Sequence, residues 1–167
     1  MSRRYRIEAL AKLDRQSFCS GSESLDRYFH RQVTQDIRRN LSACFVAICA
    51  ADNSIAGYYT LSATSVALSN IPEELSRRLP NYPHLPAALI GRLAVDQNHQ
   101  GQRLGTALLI NAISRTISTE MGIYTLLVDA KDDVAQRFCQ HHNFTLLPDP
   151  ERRLMLPIAT ARKLLGS

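Results

Sequence analysis

The chain has 167 residues, the size of one ordinary domain and long enough to bury roughly 70% of its unfolded surface in a core. Its 45% hydrophobic and 21% charged content excludes a disordered chain, and no apolar run approaches the roughly 20 residues of a membrane-spanning helix. The formal charge of +5 rests on 17 arginines and only 3 lysines, so either an anionic, phosphate-bearing ligand or plain genomic composition accounts for the tilt. The start, Met1-Ser2-Arg3-Arg4-Tyr5-Arg6, lacks the apolar core of a signal peptide, and a cytoplasmic location is expected. Four cysteines, Cys19, Cys44, Cys49 and Cys139, show no CxxC spacing, which indicates neither a metal site nor a disulfide framework; Cys44 and Cys49 read as core.

In chain order, residues 4–10 mix apolar and charged positions as an edge strand does. Ser20-Gly21-Ser22-Glu23 places a hydroxyl three residues before a glutamate, the pattern of a capping box. Leu25, Phe29, Val33 and Ile37 then recur every four residues as one buried helical stripe, with Arg27, Arg31 and Arg38 on another face. That basic face is either solvated surface or the lining of an anionic groove. Two β-rich runs, 43–50 and 55–62, flank a turn at Asp52-Asn53 and predict an antiparallel hairpin. Residues 71–86 hold four of the seven prolines and the pair Arg77-Arg78, predicting a short helix and a stiff extended loop.

A strand over 87–95 runs into a polar loop, and a helix follows over 105–119 with Leu108, Leu109, Ala112, Ile113 and Ile117 inward. A strand (123–129), a helix (132–141) and two short strands (144–147 and 153–156) complete a mixed α/β chain, with no repeat, linker or domain boundary: one domain over 1–167.

The informative unit is the strand, glycine-containing turn and helix of residues 92–118. Amides at a helix N-terminus lack intrahelical partners and the helix dipole favours negative charge, so such a turn can cradle a pyrophosphate. Gly101 and Gly105 permit close backbone approach. No Gly-Lys-Ser/Thr follows and GxGxxG is absent, so this is neither a Walker loop nor a dinucleotide fingerprint; an ordinary glycine-capped turn remains the structural alternative.

Arg92-Leu93-Ala94-Val95 followed by Gln100-Gly101-Gln102-Arg103-Leu104-Gly105 resembles the acetyl-CoA-binding motif of the GCN5-related N-acetyltransferases (GNAT), Gln/Arg-x-x-Gly-x-Gly/Ala. Phe18-x-x-Gly21, Leu25-Asp26-x-Tyr28, Gly57-Tyr58-Tyr59-Thr60-Leu61-Ser62, Arg78-Leu79-Pro80-x-Tyr82-Pro83 and Arg153-Leu154-Met155-Leu156-Pro157 resemble the acetyltransferase toxins of bacterial type II toxin–antitoxin systems. The resemblance spans residues 4–158. It implies a mixed central sheet with a splayed strand pair that binds acetyl-CoA, flanked by helices. It also implies transfer of the acetyl group to the α-amine of an aminoacyl-tRNA, which blocks translation.

By the same resemblance, backbone groups of Leu93, Ala94 and Val95 pair with the donor and an amide there polarises its thioester. The pyrophosphate rests on amides from Gln100 to Thr106, with Arg103 in place of a common glycine and tolerated while its φ stays negative. Arg31, Arg38, Arg77 and Arg78 line the approach of tRNA. The partners implied are a ribbon-helix-helix antitoxin and a second copy in a homodimer; no metal is implied.

Where the family has a tyrosine taken as general acid, this chain has Cys139, and Asn143 replaces a glycine. Cys139 is either a proton donor, an acetyl-accepting nucleophile or a small buried hydrophobe in an impaired enzyme. His141 and His142 follow at two and three positions on the same helix, not placed as a Cys–His dyad. The alternatives to a tRNA-directed enzyme are a protein or small-amine N-acetyltransferase and a non-catalytic CoA- or partner-binding relative.

Overall fold

The computed structural model describes residues 4–148 and 151–166. Seven strands form one mixed sheet in the order β1-β2-β3-β4-β5-β7-β6: β1 (Tyr5–Ala9), β2 (Ala43–Cys49), β3 (Ile55–Ala67), β4 (His84–Val95), β5 (Thr125–Asp129), β6 (Thr145–Leu146) and β7 (Arg153–Pro157). The helices are α1 (Glu23–Arg31), α2 (Val33–Arg38), α3 (Glu73–Ser76), α4 (Leu104–Ile117), α5 (Asp133–His141) and α6 (Ile158–Leu164). The chain divides into two compact units, Met1–Ser62 with Gly91–Ala112, and Ala63–Ile90 with Ile113–Ser167.

In the first unit, β2 pairs antiparallel with β3, as the hairpin pattern predicts, and on its other side with β1 at the sheet edge. The turn is fixed by Asp52, whose carboxylate accepts the amide and hydroxyl of Ser54 at 3.0 and 2.7 Å, while Asn53 takes the left-handed conformation that its short polar side chain tolerates. Phe18, Phe29, Val33, Val46 and Tyr58 are buried in one cluster with Ala94. Phe29 stacks on Tyr58 with ring centroids 4.3 Å apart and planes inclined by 10°.

The four-residue stripe does not ride on one helix. Each four-residue step advances about 40° beyond a full turn at ~3.6 residues per turn, so three steps would carry the stripe about 120° off the core. The break at Gln32 between α1 and α2 resets the phase, leaving Val33 fully buried and Ile37 packed on the same cluster as Leu25. The capping box is also rearranged. Ser22 is the N-cap without a side-chain bond, and the amide and hydroxyl of Ser20 donate to Asp26 at 2.9 and 2.7 Å. Glu23 pairs instead with Arg27.

In the second unit, β4 pairs parallel with β5 over Ala87–Ile90 and Thr125–Val128, and β7 lies antiparallel to β5 and β6. Val66, Ile71, Leu85, Ala87, Leu127, Leu147 and Met155 form its core. Asn143 ends α5 as expected of a glycine substitute, at φ 75°. The Phe144 amide donates to the Cys139 carbonyl at 3.1 Å and the Asn143 amide to the Gln140 carbonyl at 3.1 Å, the paired bonds of a Schellman cap. β3 extends five residues beyond the predicted strand and α6 was not anticipated: its start after Pro157 follows directly on β7, leaving no turn to mark it. Among the described residues, no helix is long and apolar enough to cross a membrane.

Candidate functional site

The β4–β5 ladder ends at Ile90 and Val128, and β4 continues through Gly91–Val95. Within that extension Ala94 is buried in the first unit's core, so its contribution to a ligand is its backbone. β3 lies close against this segment: a Cβ on Gly57 would stand 3.0 Å from the Ala94 carbonyl oxygen and 2.9 Å from Leu108. A side chain at Gly57 would push β4 away from its place.

After Val95 the chain turns on Asp96, which is 7% exposed. Its carboxylate accepts the Asn98 amide at 2.9 Å, capping a 3-10 turn at Gln97–His99, and the Cys19 amide at 3.0 Å. The Gln97 amide returns a bond to the Cys19 carbonyl at 2.8 Å. Gln100, the first residue of the motif, donates through Nε2 to the carbonyls of Ser20 and Val95, each at 3.0 Å. The segment around Cys19 and Ser20 is thereby fastened to the loop from three directions. The Gln100 side chain is a brace, and the binding capacity of the motif lies in its backbone.

Gly101 has φ 81° and open space where a Cβ would be, and Arg103 has φ 62°. The expectation of a negative φ at Arg103 is therefore corrected: the turn needs a left-handed residue at the position where the family often has glycine, and arginine occupies it under strain. α4 starts directly afterwards, with Ala107 donating to the Arg103 carbonyl at 3.2 Å. Helix geometry leaves the amides of Leu104 and Gly105 without i−4 carbonyl partners, and the dipole adds positive potential there. Thr106 completes the first turn. The run Gln100, Gly101, Gln102, Arg103, Leu104, Gly105 and Thr106 thus forms a turn leading into a helix start, the type of backbone that can receive an anion.

Beside this loop, Tyr5 is hydrogen-bonded to His99 Nδ1 at 2.8 Å and donates to Gln102 Oε1 at 3.0 Å. A cavity of about 350 Å³ lies between Arg4, Tyr5, Ile7 and the start of α4, with Arg103 on its wall. An open groove of about 460 Å³ runs along α1, lined by Cys19, Gly21, Glu23, Asp26, Arg27, His30 and Arg31.

Sequence reasoning passed over a second cluster. The Arg92 guanidinium carbon stands 3.5 Å from the centre of the Tyr28 ring, and the Tyr28 hydroxyl donates to Asp36 Oδ2 at 2.8 Å. Burial, reinforced by the bond to Asp36, pushes the Tyr28 hydroxyl well above its ordinary range. The Tyr28 donor and the Gln32 amide hold the Asp36 carboxyl below its ordinary range. The sequence signal was available: Tyr28 and Asp36 lie two turns apart, and Arg92 opens the motif.

Arg31 and Arg38 are exposed on the first unit. Arg77 and Arg78 are exposed just after α3 in the second. None of the four is paired with a carboxylate among the described residues. Cys139, in the second unit, is 3% exposed, and burial pushes its thiol up to about 11. Cys44 is core as expected, whereas Cys49 is only half-buried at the end of β2, beside the turn into β3.

The chain is 36% identical over 152 residues to the tRNA-acetylating toxin of Mycobacterium tuberculosis (strain ATCC 25618 / H37Rv), covering 90% of this chain and 89% of that one. It is similar in fold to the structure of AtaT complexed with acetyl-methionyl-tRNAfMet, with TM-score 0.89 and 26% identity over 98% of this chain and 99% of that one. It is also similar to AtaTR bound with acetyl-CoA, with TM-score 0.84 and 26% identity over 98% of each chain. The model of the acetyltransferase (GNAT) family matches residues 7–144. With that model matching most of its length, the chain belongs to the acetyltransferase (GNAT) family.

Proposed function

We propose that this protein is the toxin of a toxin–antitoxin pair, an acetyl-CoA-dependent N-acetyltransferase that blocks translation by acetylating the α-amine of aminoacyl-tRNA. The observation that carries the reading is the loop of residues 96–106, fastened to the 19–20 segment by Asp96 and Gln100 and leading into the start of α4, which supports an anion cradle there. The 36% identity to a tRNA-acetylating toxin supports the substrate.

Bound acetyl-CoA supplies an activated acyl thioester. Leu93, Ala94 and Val95 would hold its pantetheine end through their backbone, and the amides from Gln100 to Thr106 its phosphates. The α-amine of an aminoacyl ester is weakly basic, with a sizeable neutral fraction at physiological pH, so the protein's work is to position it and exclude water rather than to remove a proton with a strong base. By the family resemblance Cys139 corresponds to the general-acid position, and burial pushes its thiol up to about 11, which favours the protonated form and argues against an acetyl-accepting thiolate.

Arg31, Arg38, Arg77 and Arg78 are proposed to steer the acceptor strand of tRNA, consistent with the charge of +5. A homodimer, a cytoplasmic location and an antitoxin of ribbon-helix-helix type belong to the same proposal.

Incubation with labelled acetyl-CoA and total aminoacyl-tRNA tests it. Label is expected in RNA, stable as the N-acetyl group and released with the amino acid when the ester is hydrolysed at alkaline pH. Label found only in protein or in small amines sinks the proposal.

A further inference from the structure

We infer that Arg92 grips the phosphate of the terminal nucleotide of the aminoacyl acceptor, with Tyr28 and Asp36 as the mount that aims it. The inference rests on the acceptor being an aminoacyl-tRNA, as proposed above, and names a residue that binds it.

Among the described residues no carboxylate forms an ion pair with Arg92; its contact is the face of Tyr28, at 3.5 Å. A half-buried guanidinium whose planar donors face no protein acceptor is costly to keep. Stacking offsets part of that cost and holds the plane of the group fixed while leaving its N–H edges free.

The mount is itself rigid. Tyr28 is 7% exposed and its hydroxyl donates to Asp36 at 2.8 Å, while Gln32 occupies the other Asp36 oxygen at 3.2 Å. The Asp36 carboxylate is engaged by these two donors and makes no direct ion pair with Arg92, although it still feels the Arg92 charge. A planar cation held over a ring face, with no hydrogen-bonded protein acceptor among the described residues, is suited to contact with an oxyanion.

Its position selects the anion. Arg92 lies two residues past Ile90, where the β4–β5 ladder ends, and directly precedes the segment proposed to hold the thioester. Of the phosphates in an aminoacyl-tRNA, the one nearest the reacting amine is that of the terminal nucleotide. A fixed guanidinium beside the reacting end therefore sets the register of the acceptor strand. The exposed arginines, held by no such mount, contribute diffuse attraction.

Affinity and KM for aminoacyl-tRNA, measured across a salt series for wild type, Arg92→Gln and Arg92→Lys, with acetyl-CoA affinity and melting temperature alongside, test this. Arg92→Gln should raise KM about tenfold or more, the loss of one charge-assisted contact. It should also flatten the slope of log affinity on log salt by about 0.7, the share of one single-strand phosphate. Acetyl-CoA affinity should stay within about twofold, because a phosphate on the acceptor is not part of the donor site. Arg92→Lys keeps the charge and so should keep the slope, while losing the planar fork and raising KM. Unchanged KM in Arg92→Gln overturns the inference. So does weakened binding with an unchanged slope, which would mean an uncharged oxygen, or a matching fall in acetyl-CoA affinity, which would mean a structural role. If Arg92→Gln melts early, Arg92→Lys carries the test, and an unchanged KM there overturns it. Failure of the wild type to acetylate aminoacyl-tRNA removes the functional reading, and this inference with it, before any variant is made.

Discussion

Asp96 accepts the backbone amide of Cys19 through Oδ2 at 3.0 Å, across 77 positions of sequence, while its other oxygen caps the 3-10 turn through Asn98 at 2.9 Å. One buried carboxylate thus shapes the phosphate loop and secures the segment packed against it. Replacement by alanine leaves two amides without their acceptor, at a cost of about 2 kcal/mol. For a chain of this length that lowers the melting temperature by roughly 4–8 °C. The KM for acetyl-CoA should rise in the same variant, because the loop loses its fixed shape. Asp96→Asn keeps one carbonyl acceptor and should fall between. Calorimetry and steady-state kinetics on both variants check the order; an Asp96→Ala protein with unchanged acetyl-CoA KM contradicts it.

Arg103 offers a test with the opposite sign. At φ 62° an L-residue pays roughly 1–2 kcal/mol that glycine does not, and glycine returns about 0.5–1 kcal/mol of that through its freer unfolded chain. Arg103→Gly is expected to stabilise the fold by about 0.5–1 kcal/mol, a rise of roughly 1–4 °C in melting temperature. Because the amide remains, acetyl-CoA binding should change only by the lost side-chain charge. Destabilisation would show that the Arg103 side chain, on the wall of the 350 Å³ cavity with Arg4 and Tyr5, contributes more than its backbone costs.

These two positions also separate what the sequence disclosed from what it did not. The motif residues were legible because a strand, a glycine turn and a helix start are local, and spacing reports local geometry. The left-handed φ at Arg103 was not, since an arginine carries no mark of that conformation; the family's glycine was the only signal. The tie from Asp96 to Cys19 joins segments far apart in sequence, and nothing in either segment names the other. The stripe Leu25, Phe29, Val33 and Ile37 identified the buried face correctly, yet a four-residue repeat outruns the helical turn and conceals the break at Gln32. Asn143 succeeded for a plain reason: asparagine beyond a helix end signals the αL cap that the backbone adopts.

The bond from Tyr28 to Asp36 makes stability depend on acid. Asp36 is held below its ordinary range first by the Tyr28 hydroxyl and then by the Gln32 amide, so folding favours its ionised form. That contribution is complete above the unfolded carboxylate range near ~4 and is lost as pH falls through the folded value. Asp52 and Asp133, held low mainly by Ser54 and Arg152, act in the same direction. Urea unfolding between pH 6 and 3 should therefore show stability falling with acid, and the fall should be shallower in Asp36→Asn. An equally steep fall in that variant would mean that Asp36 has no part in it.

The basic cluster after α3 gives a prediction about rate rather than shape. Arg77 and Arg78 are exposed and unpaired with carboxylates among the described residues, so their reversal to glutamate should leave folding within about 0.5 kcal/mol. In the double variant Arg77→Glu/Arg78→Glu, acetylation of aminoacyl-tRNA should fall steeply at low salt and converge on wild type as salt screens both. The acetyl-CoA affinity should be unchanged. A salt-independent loss would place these side chains in direct structural contact instead of a steering field.

We propose that Cys139 limits the chemistry. Its carbonyl is engaged by Phe144 in the cap of α5, its side chain is 3% exposed, and its thiol is pushed up to about 11 by burial. A thiol held protonated by burial is a poor proton donor to a departing thiolate. Cys139→Ala should therefore change kcat by less than about threefold, and Cys139→Tyr, whose hydroxyl reaches further than a thiol, should raise kcat at constant KM. A tyrosine in so closed a site also overpacks it, at a cost of about 1–3 kcal/mol, so rates are compared well below the melting temperature of each variant. Thiol titration supplies an independent check: in the folded protein near pH 8 the exposed Cys19 should react quickly and Cys139 only on unfolding. Rapid labelling of Cys139 in the fold, or a collapse of kcat in Cys139→Ala, would instead make this sulfur an active participant in acetyl transfer.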